Sequence, residues 1–187
     1  HKAEVSKPYY YNVYLADFDI TAELTATERA ASFQFTYPEN DNSYVVIDAF
    51  DKSSFIKILP NEKRVIGYST RNSGGVPANF KNYFVVQFDK AFASSEVWHD
   101  SVLVKDVLEL NVNHSGAIIG FKTAKGEKVN VRVASSFISI DQAIYNLESE
   151  TNGNDFNQLV AASKKHWNTI LGRVKAEGGS ESQLRTF

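Results

Sequence analysis

Phe33-Gln-Phe-Thr-Tyr37 places an aromatic ring at every second position. Successive side chains of a β-strand point to opposite faces of its sheet, so these three rings share one face. The runs Tyr44-Val-Val-Ile-Asp-Ala-Phe50 and Tyr83-Phe-Val-Val-Gln-Phe88 have the β-branched and aromatic content that strands favour. Together the three runs predict sheet rather than helix in this part of the chain.

Strand patterns of similar length continue on both sides of these runs, with turn residues between them. They cover residues 9–15, 20–25, 28–37, 54–59, 63–70, 92–98, 102–110, 117–121 and 128–133. Ala124-Lys-Gly-Glu127 is typical of a hairpin turn between the last two. About ten short strands without intervening helices favour two packed antiparallel sheets. The predicted fold class is therefore mainly β, an antiparallel, supersandwich-like β-sandwich.

The pattern changes at Ser139, where helical spacing replaces alternation. Ser139 followed by Gln142 fits a capping box, and Asp155 with Gln158 predicts the start of a second helix. The apolar stripe of this second helix is formed by Phe156, Leu159, Val160, Trp167, Ile170, Leu171 and Val174. We expect two C-terminal α-helices, the second ending at the glycine pair that starts at Gly178.

The composition excludes several classes of protein. The 187 residues include 20 basic and 22 acidic side chains, so the net charge of −2 leaves no excess of cations for nucleic acid. The chain has no cysteine, which excludes disulfides and thiolate metal sites. No apolar run approaches about 18 residues, so we expect no membrane span.

No catalytic constellation stands out in the sequence. The carboxylates are scattered without a spacing that singles out an acid and a base. No two histidines lie within four residues of each other, and no oxygen-rich loop matches a calcium-binding pattern. We therefore assign no catalytic residue and no metal ligand to this chain.

The loop Arg71-Asn-Ser-Gly-Gly-Val-Pro77 is the strongest candidate for contact with a ligand. Its two glycines permit positive φ or close approach of the backbone, while Arg71 and Asn72 supply donors for hydroxyl groups. Trp98 is a second candidate, because an exposed indole can stack on the apolar face of a sugar. The alternatives are an ordinary hairpin loop for the first and packing for the second.

Three separated runs occur in a fixed order: Lys7-Pro-Tyr-Tyr-Tyr-Asn-Val-Tyr-Leu15, Glu23-Leu-Thr-Ala-Thr-Glu-Arg-Ala30 and Ser136-Phe-Ile-Ser-Ile-Asp-Gln-Ala-Ile-Tyr-Asn-Leu-Glu148. Together they resemble the N-terminal β-sandwich of the glycoside hydrolase family 92 exo-α-mannosidases. The resemblance covers nearly the whole chain. It implies a sandwich domain over residues 1–136 and a helical linker over residues 137–187, leading to an (α/α)-barrel catalytic domain that is absent here.

The resemblance also implies a function. Members of this family are Ca²⁺-dependent, inverting exo-α-mannosidases that act on α-1,2-linked or related mannosides of N-glycans or mannans. Their catalytic carboxylates and Ca²⁺ lie in the barrel, so this chain is expected to carry no cofactor and to be inactive alone. Its expected partners are that catalytic domain and mannose-containing glycans, and its expected location is the bacterial periplasm, the cell surface or the medium. A stand-alone carbohydrate-binding module and a spacer are the alternatives.

The same resemblance implies roles for individual side chains. Arg71, Asn72 and Trp98 would face the cleft between the domains, on the side of the leaving group. The apolar residues expected to pack on the catalytic domain are Trp167, Ile170, Leu171 and Val174.

The run Glu23–Ala30 is expected to be mainly structural. It contains one cation, Arg29, and two nearby carboxylates. We expect Arg29 to pair with Glu28 or Glu23 at the surface, where such pairs contribute little to stability.

Overall fold

The computed structural model describes residues 4–186, and within them the protein is mainly β, as predicted. The strands are β1 (Glu4–Lys7), β2 (Tyr10–Leu15), β3 (Ile20–Ala26), β4 (Ala30–Tyr37), β5 (Asn40–Asp48), β6 (Ser54–Leu59), β7 (Arg64–Ser69), β8 (Asn82–Phe88), β9 (Ser94–His99), β10 (Val102–Val104), β11 (Glu109–Val112), β12 (Ser115–Thr123) and β13 (Glu127–Ser136). The helices are α1 (Ile140–Thr151), α2 (Phe156–Leu171) and α3 (Glu181–Thr186), and a 3₁₀ turn covers Pro60–Glu62.

The strands form two antiparallel sheets that pack face to face. The large sheet has the order β1-β2-β3-β4-β13-β8-β7-β6-β11, and the small sheet has the order β10-β9-β12-β5. Apolar side chains from both sheets fill the space between them: Ile56, Ile58, Val65, Val86, Phe88, Val97, Ile119, Phe121, Val129 and Val131 are all buried there. The predicted antiparallel sandwich is confirmed.

The alternation in β4 sets the two faces of the large sheet. Tyr37 is buried in the core between the sheets, and Phe33 and Phe35 pack against that core. Their rings lie 5.9 Å apart and nearly parallel. Ser32 and Gln34, on either side of Phe33 in the sequence, are also buried but belong to the opposite face.

The outer face of the large sheet is covered by the first helix. Ala143 and Leu147 of α1 pack on Ala30, Val85 and Ala134 of three neighbouring strands. Small alanine side chains on the sheet let the helix approach closely, which fixes where the C-terminal segment leaves the sandwich.

The two helix starts form as predicted, with one difference. The Ser139 hydroxyl accepts a hydrogen bond from the Gln142 backbone N–H at 3.0 Å, but the Gln142 side chain donates to Asn146 instead of returning to the cap. Asp155 and Gln158 form the complete reciprocal box at the start of α2. At the start of α1, therefore, only one of the two hydrogen bonds of a capping box forms, the one accepted by the Ser139 hydroxyl.

The ends of elements differ most from the sequence prediction. The second helix ends at Leu171, before the predicted glycine pair, because Gly172 forms the C-cap and the chain beyond it is exposed. Strand β1 was not predicted, since all four of its residues are exposed and show no alternation. Helix α3 follows the glycine pair. None of the helices in residues 4–186 is long and apolar enough to cross a membrane.

Candidate functional site

Strand register brings four connections to one end of the large sheet. Ser54 pairs with Ser69, Ser69 with Asn82, and Tyr83 with Ser136. Ala134 of the same strand as Ser136 pairs with Ala30. The segments 49–53, 70–81 and 137–139 and the turn 27–29 therefore all leave the sheet at this end, which we call the loop end.

Two of these segments contact each other and form what we call the corner, residues 49–53 and 70–77. The Thr70 hydroxyl and backbone N–H both donate to the Ser53 carbonyl, at 2.9 and 3.1 Å. The Arg71 guanidinium donates to the Asp51 carboxylate. This hydrogen bond from Arg71 lowers the pKa of Asp51 below its ordinary value, so the pair is ionised at neutral pH.

Segment 49–53 has an unusual backbone. Phe50, Lys52 and Ser53 have φ values of 63°, 70° and 81°, in the left-handed region that side chains other than glycine rarely adopt. The Phe50 N–H donates to Asp48 Oδ1 at 2.7 Å, and the same oxygen lies 2.8 Å from His114 Nε2. The Phe50 ring is 56% exposed. Sequence reasoning missed this residue because nothing in the sequence marks a phenylalanine for positive φ.

The predicted ligand loop has the glycine conformations expected of it. Gly74 and Gly75 have φ values of 107° and 75°, so of the two uses that glycine permits here the loop has positive φ. The Asn72 side chain donates to the Thr70 carbonyl at 2.9 Å and accepts from the Gly74 N–H at 2.8 Å. Asn72 therefore shapes the loop, while Arg71 is half exposed and points its charge to the corner.

Trp98 corrects an expectation. It is only 9% exposed and lies in the core rather than in an open groove. Its cross-strand partner is Gly116, and a methyl group added there would lie 2.1 Å from the indole. The His114 ring packs on its edge, with ring centroids 4.9 Å apart. The indole has no open face for a sugar because glycine makes room for it against the sheet.

The apolar stripe of the second helix is left uncovered towards its end. Trp167, Ile170, Leu171 and Val174, which we call the ridge, are between 37% and 62% exposed. Val174 lies beyond the last residue of the helix and not on it, which corrects the predicted stripe. By contrast, Phe156 and Leu159 at the start of the helix are buried against the sandwich.

A cleft of about 480 Å³ separates the ridge from the turn 27–29. It is lined on one side by Trp167 and Ile170, and on the other by Thr27 and Glu150. The turn 27–29 belongs to the loop end, so the ridge begins at the same end of the large sheet as the corner.

Arg29 forms the expected surface ion pair with Glu28, but its shortest contacts are with a third carboxylate, Glu150. Arg29 Nε donates to Glu150 Oε1 at 2.6 Å, and its backbone N–H donates to Glu150 Oε2 at 2.9 Å. Glu28 lies 3.9 Å away, and Glu23 accepts from the Tyr10 hydroxyl. The sequence could not show this pairing because the two residues are 121 positions apart.

The Glu150 side chain is 12% exposed and also accepts from the Thr27 hydroxyl. Burial acts to raise its pKa, but the hydrogen bonds from Thr27 and Arg29 outweigh burial, and the net pKa is lowered. Glu150 therefore joins the end of α1 to the β3–β4 turn as an ionised, hydrogen-bonded carboxylate.

Metal-ligating side chains do not converge in the part of the chain that the structure describes. Among residues 4–186, no group of three or more His, Asp and Glu side chains could hold an ion. The two oxygen-rich loops, residues 39–42 and 152–155, serve as a turn and a cap: Asn40 accepts from the Asn42 N–H at 2.9 Å, and Asp155 caps α2.

Comparison with known families gives two matches that divide the chain between them. The model described as the glycosyl hydrolase family 92 N-terminal domain matches residues 1–136. The model described as the glycosyl hydrolase family 92 catalytic domain matches residues 142–187.

Solved structures and a curated protein resemble the chain over nearly its full length. A family 92 inverting mannosidase from Bacteroides thetaiotaomicron VPI-5482 is 37% identical with a TM-score of 0.94, covering 100% of this chain and 25% of that one. A family 92 α-mannosidase from Bacteroides thetaiotaomicron is 31% identical with a TM-score of 0.87, covering 96% and 25%. An uncharacterized secreted glycosidase of Arthroderma benhamiae is 26% identical, covering 97% of this chain and 27% of its own length. The chain thus spans about a quarter of the length of these relatives.

Proposed function

This chain belongs to glycosyl hydrolase family 92, a family of glycosidases, and we propose that it is the N-terminal sandwich and linker of an exo-α-mannosidase. In this proposal the whole enzyme removes terminal mannose from α-1,2-linked or related mannosides of N-glycans or mannans. The sandwich forms one wall of the active-site cleft, and the catalytic carboxylates belong to the catalytic domain. The family's match to residues 142–187 and the mannosidase structures support the proposal.

The observation that carries the domain role is the exposed ridge. Each large apolar side chain contributes about 1.5–3 kcal/mol when it moves from water into an apolar contact. Three such side chains lie at the end of α2 and Val174 lies just beyond it, while the same helix is buried at its start. A contiguous apolar surface of this kind is typical of a contact with another protein surface. We propose that the remainder of the catalytic domain, whose family model already matches residues 142–187, covers it.

The corner is the proposed contribution of the sandwich to the substrate site. Arg71 offers hydrogen-bond donors at the loop end, and Asn72 with the two glycines holds the loop that carries them. In the whole enzyme these groups would face the sugar beyond the scissile bond. Trp98 is not part of this proposal, because it is buried.

Calcium and inversion belong to the proposed chemistry of the whole enzyme. We place the Ca²⁺ in the catalytic domain, where it would bind sugar hydroxyl groups through its oxygen-ligand chemistry. A water molecule activated by a general base would attack the anomeric carbon from the face opposite the leaving group. We also propose export to the periplasm, the cell surface or the medium, in keeping with the curated relative described as secreted.

Mannosidase activity of the whole enzyme, compared with that of this chain alone, tests the proposal. The whole enzyme should release mannose from mannobiose, lose this activity with a chelator and regain it with Ca²⁺. Proton NMR of the first product should show β-mannose, the inverted anomer. This chain alone should release no mannose, and release by the purified chain would refute the assignment of catalysis to the other domain.

The carbohydrate-binding-module alternative predicts a different result. A stand-alone module should present an open aromatic row and bind mannobiose without a partner. Calorimetric titration of this chain with millimolar mannobiose separates the two functions, since the cleft-wall proposal expects no measurable heat of binding.

A further inference from the structure

Phe50 combines two features that rarely occur together. Its backbone lies at φ 63°, which is unfavourable for a bulky side chain, and its ring is 56% exposed instead of buried. Lys52 and Ser53 in the same short segment are also left-handed. Three such residues within four positions persist only where the surrounding structure determines them, and such residues cluster at functional sites.

The surroundings of the segment do determine its conformation. At its start, Ala49 N–H donates to the Ser115 carbonyl at 3.0 Å, and Phe50 N–H donates to Asp48. At its end, Ser53 N–H donates to the Asn113 carbonyl at 2.9 Å. The segment is therefore fixed on both sides, and its conformation directs the Phe50 ring into solvent at the loop end.

The segment that carries Phe50 also contains and contacts polar and charged groups. Asp51 follows Phe50 directly and pairs with Arg71, and Thr70 donates to the carbonyl of Ser53. An aromatic face presents an apolar surface to the C–H groups of a pyranose, while a carboxylate and a guanidinium bind its hydroxyl groups. This combination fits a sugar better than a protein surface.

We propose that Phe50 is a platform for the sugar on the leaving-group side of the scissile bond, with Arg71 and Asp51 binding that sugar's hydroxyl groups. The inference rests on the proposed mannosidase function and adds a specificity-determining residue to it. The corner and the ridge differ in composition, because the ridge consists of four exposed apolar side chains, whereas the corner has the Phe50 ring and Val76 beside the Arg71–Asp51 ion pair.

The test uses the whole enzyme and two substrates. Mannobiose carries a leaving-group sugar, whereas α-mannosyl fluoride has only a fluoride ion on that side. Phe50→Ala should lower kcat/KM for mannobiose about tenfold, the loss of one modest contact, and leave kcat/KM for the fluoride within about twofold. Phe50→Tyr should retain the mannobiose activity, whereas Phe50→Leu should not, because it keeps bulk without the ring.

Phe18 provides the matched control. It is also an exposed phenylalanine, at 67%, but it lies in the β2–β3 turn at the opposite end of the large sheet. Phe18→Ala should change neither rate. Equal kcat/KM values for mannobiose in Phe50→Ala and the unmodified enzyme would overturn the inference while leaving the mannosidase function intact.

A stability measurement separates binding from packing. Phe50→Gly removes the unfavourable left-handed side chain, so the unfolding midpoint should stay the same or rise while mannobiose activity falls. A fall in midpoint together with equal losses on both substrates would show that the ring packs on the catalytic domain, and would overturn the inference. An unmodified enzyme that releases mannose from neither substrate would overturn the proposed function and this inference with it.

Discussion

The corner and the ridge are both exposed at the loop end, yet they are built in different ways. The corner has an irregular backbone with three left-handed residues, held by hydrogen bonds and an ion pair. The ridge lies largely on a regular helix and exposes apolar side chains that nothing in residues 4–186 covers. The first is a rigid surface with directional groups, and the second is a surface that gains stability only when another surface meets it.

On the proposed function, this difference would let one domain make two kinds of contact. A left-handed residue is unfavourable in the folded chain, and a ligand does not remove that strain but uses the geometry that it fixes. An exposed apolar side chain is unfavourable only while it stays in water. Substitutions should therefore affect ligand kinetics at the corner and the stability of the two-domain protein at the ridge.

The largest effect is expected from charges placed on the ridge. Trp167→Asp combined with Leu171→Asp should lower the free energy of unfolding of the whole enzyme by roughly 4 kcal/mol or more, because two large side chains lose an apolar contact. The same pair should cost this chain alone much less, since Trp167 and Leu171 are already 37% and 53% exposed in it. Thermal unfolding of both forms measures the contrast.

Phe18→Asp is the control for this comparison, because it adds a charge to an exposed apolar position at the far end of the sheet. It should leave both unfolding midpoints unchanged. If the ridge variant lowered the midpoint of this chain as much as that of the whole enzyme, the ridge would be packed within the sandwich and the domain role would fail.

Behind the corner, Gly116→Ala tests the burial of Trp98. The added methyl would meet the indole at 2.1 Å, so the ring or the strand must move, which costs about 3 kcal/mol for overpacking of this kind. Urea unfolding of this chain gives the change, and the tryptophan emission should shift to the red as the ring becomes exposed. An unchanged free energy would mean that Trp98 already lies in an open groove.

The sequence predicted the parts of the fold that depend on local patterns. The alternation in Phe33–Tyr37 and the caps at Ser139 and Asp155 each depend on neighbours within a few residues. The Trp98–Gly116 contact could not be predicted in this way, because it joins two strands whose pairing is set by the whole sheet. The contact between Arg29 and Glu150 could not be predicted for the same reason, since the two residues are far apart in the sequence.

The candidate site was predictable only in part. The glycine pair marked the loop at 70–77, because glycine is the residue that positive φ favours. Phe50 has the same backbone conformation without a glycine to mark it, and its environment is built by hydrogen bonds from β5 and from the segment before β12. Prediction of sites from residue type alone therefore finds loops in which glycine occupies the positive-φ positions. It misses loops in which another residue is held there.

Glu150, which lines the cleft beside the ridge, should have the next largest effect. Glu150→Ala removes the acceptor for Thr27 and for both donors of Arg29, and should cost about 2 kcal/mol because these hydrogen bonds end on a partly buried charge. Arg29→Ala should cost less, since Thr27 and the backbone N–H keep their acceptor. Chemical denaturation of the two variants checks the order, and a larger loss for Arg29→Ala would contradict it.

A smaller loss is expected from Gly75→Ala at the corner. Alanine at φ 75° is disfavoured by about 1 kcal/mol even though the surrounding space is open. Gly153→Ala is a matched control, because Gly153 also has φ 75° and open space but lies between α1 and α2. Both should lower the free energy of unfolding equally, but only Gly75→Ala should alter kcat/KM for mannobiose in the whole enzyme. Identical kinetics for the two variants would remove the loop from the substrate site.

The smallest effect is the contribution of single carboxylates to acid stability. The folded-state pKa values of Glu150 and Asp51 are both lowered, so each contributes stability above its unfolded value, about 4.3 for Glu and 3.9 for Asp. That stability is lost as the pH falls through the folded pKa.

Glu150→Gln should therefore reduce the acid sensitivity of unfolding more than Asp51→Asn. The reason is that the Glu150 carboxylate is shielded and also accepts from uncharged donors, whereas the Asp51–Arg71 pair is exposed. In about 1 M salt, where charges are screened beyond roughly 3 Å, the effect of Asp51→Asn should vanish and that of Glu150→Gln should persist. Equal salt sensitivity of the two would mean that the carboxylate beside the ridge is no better sheltered than the one at the corner.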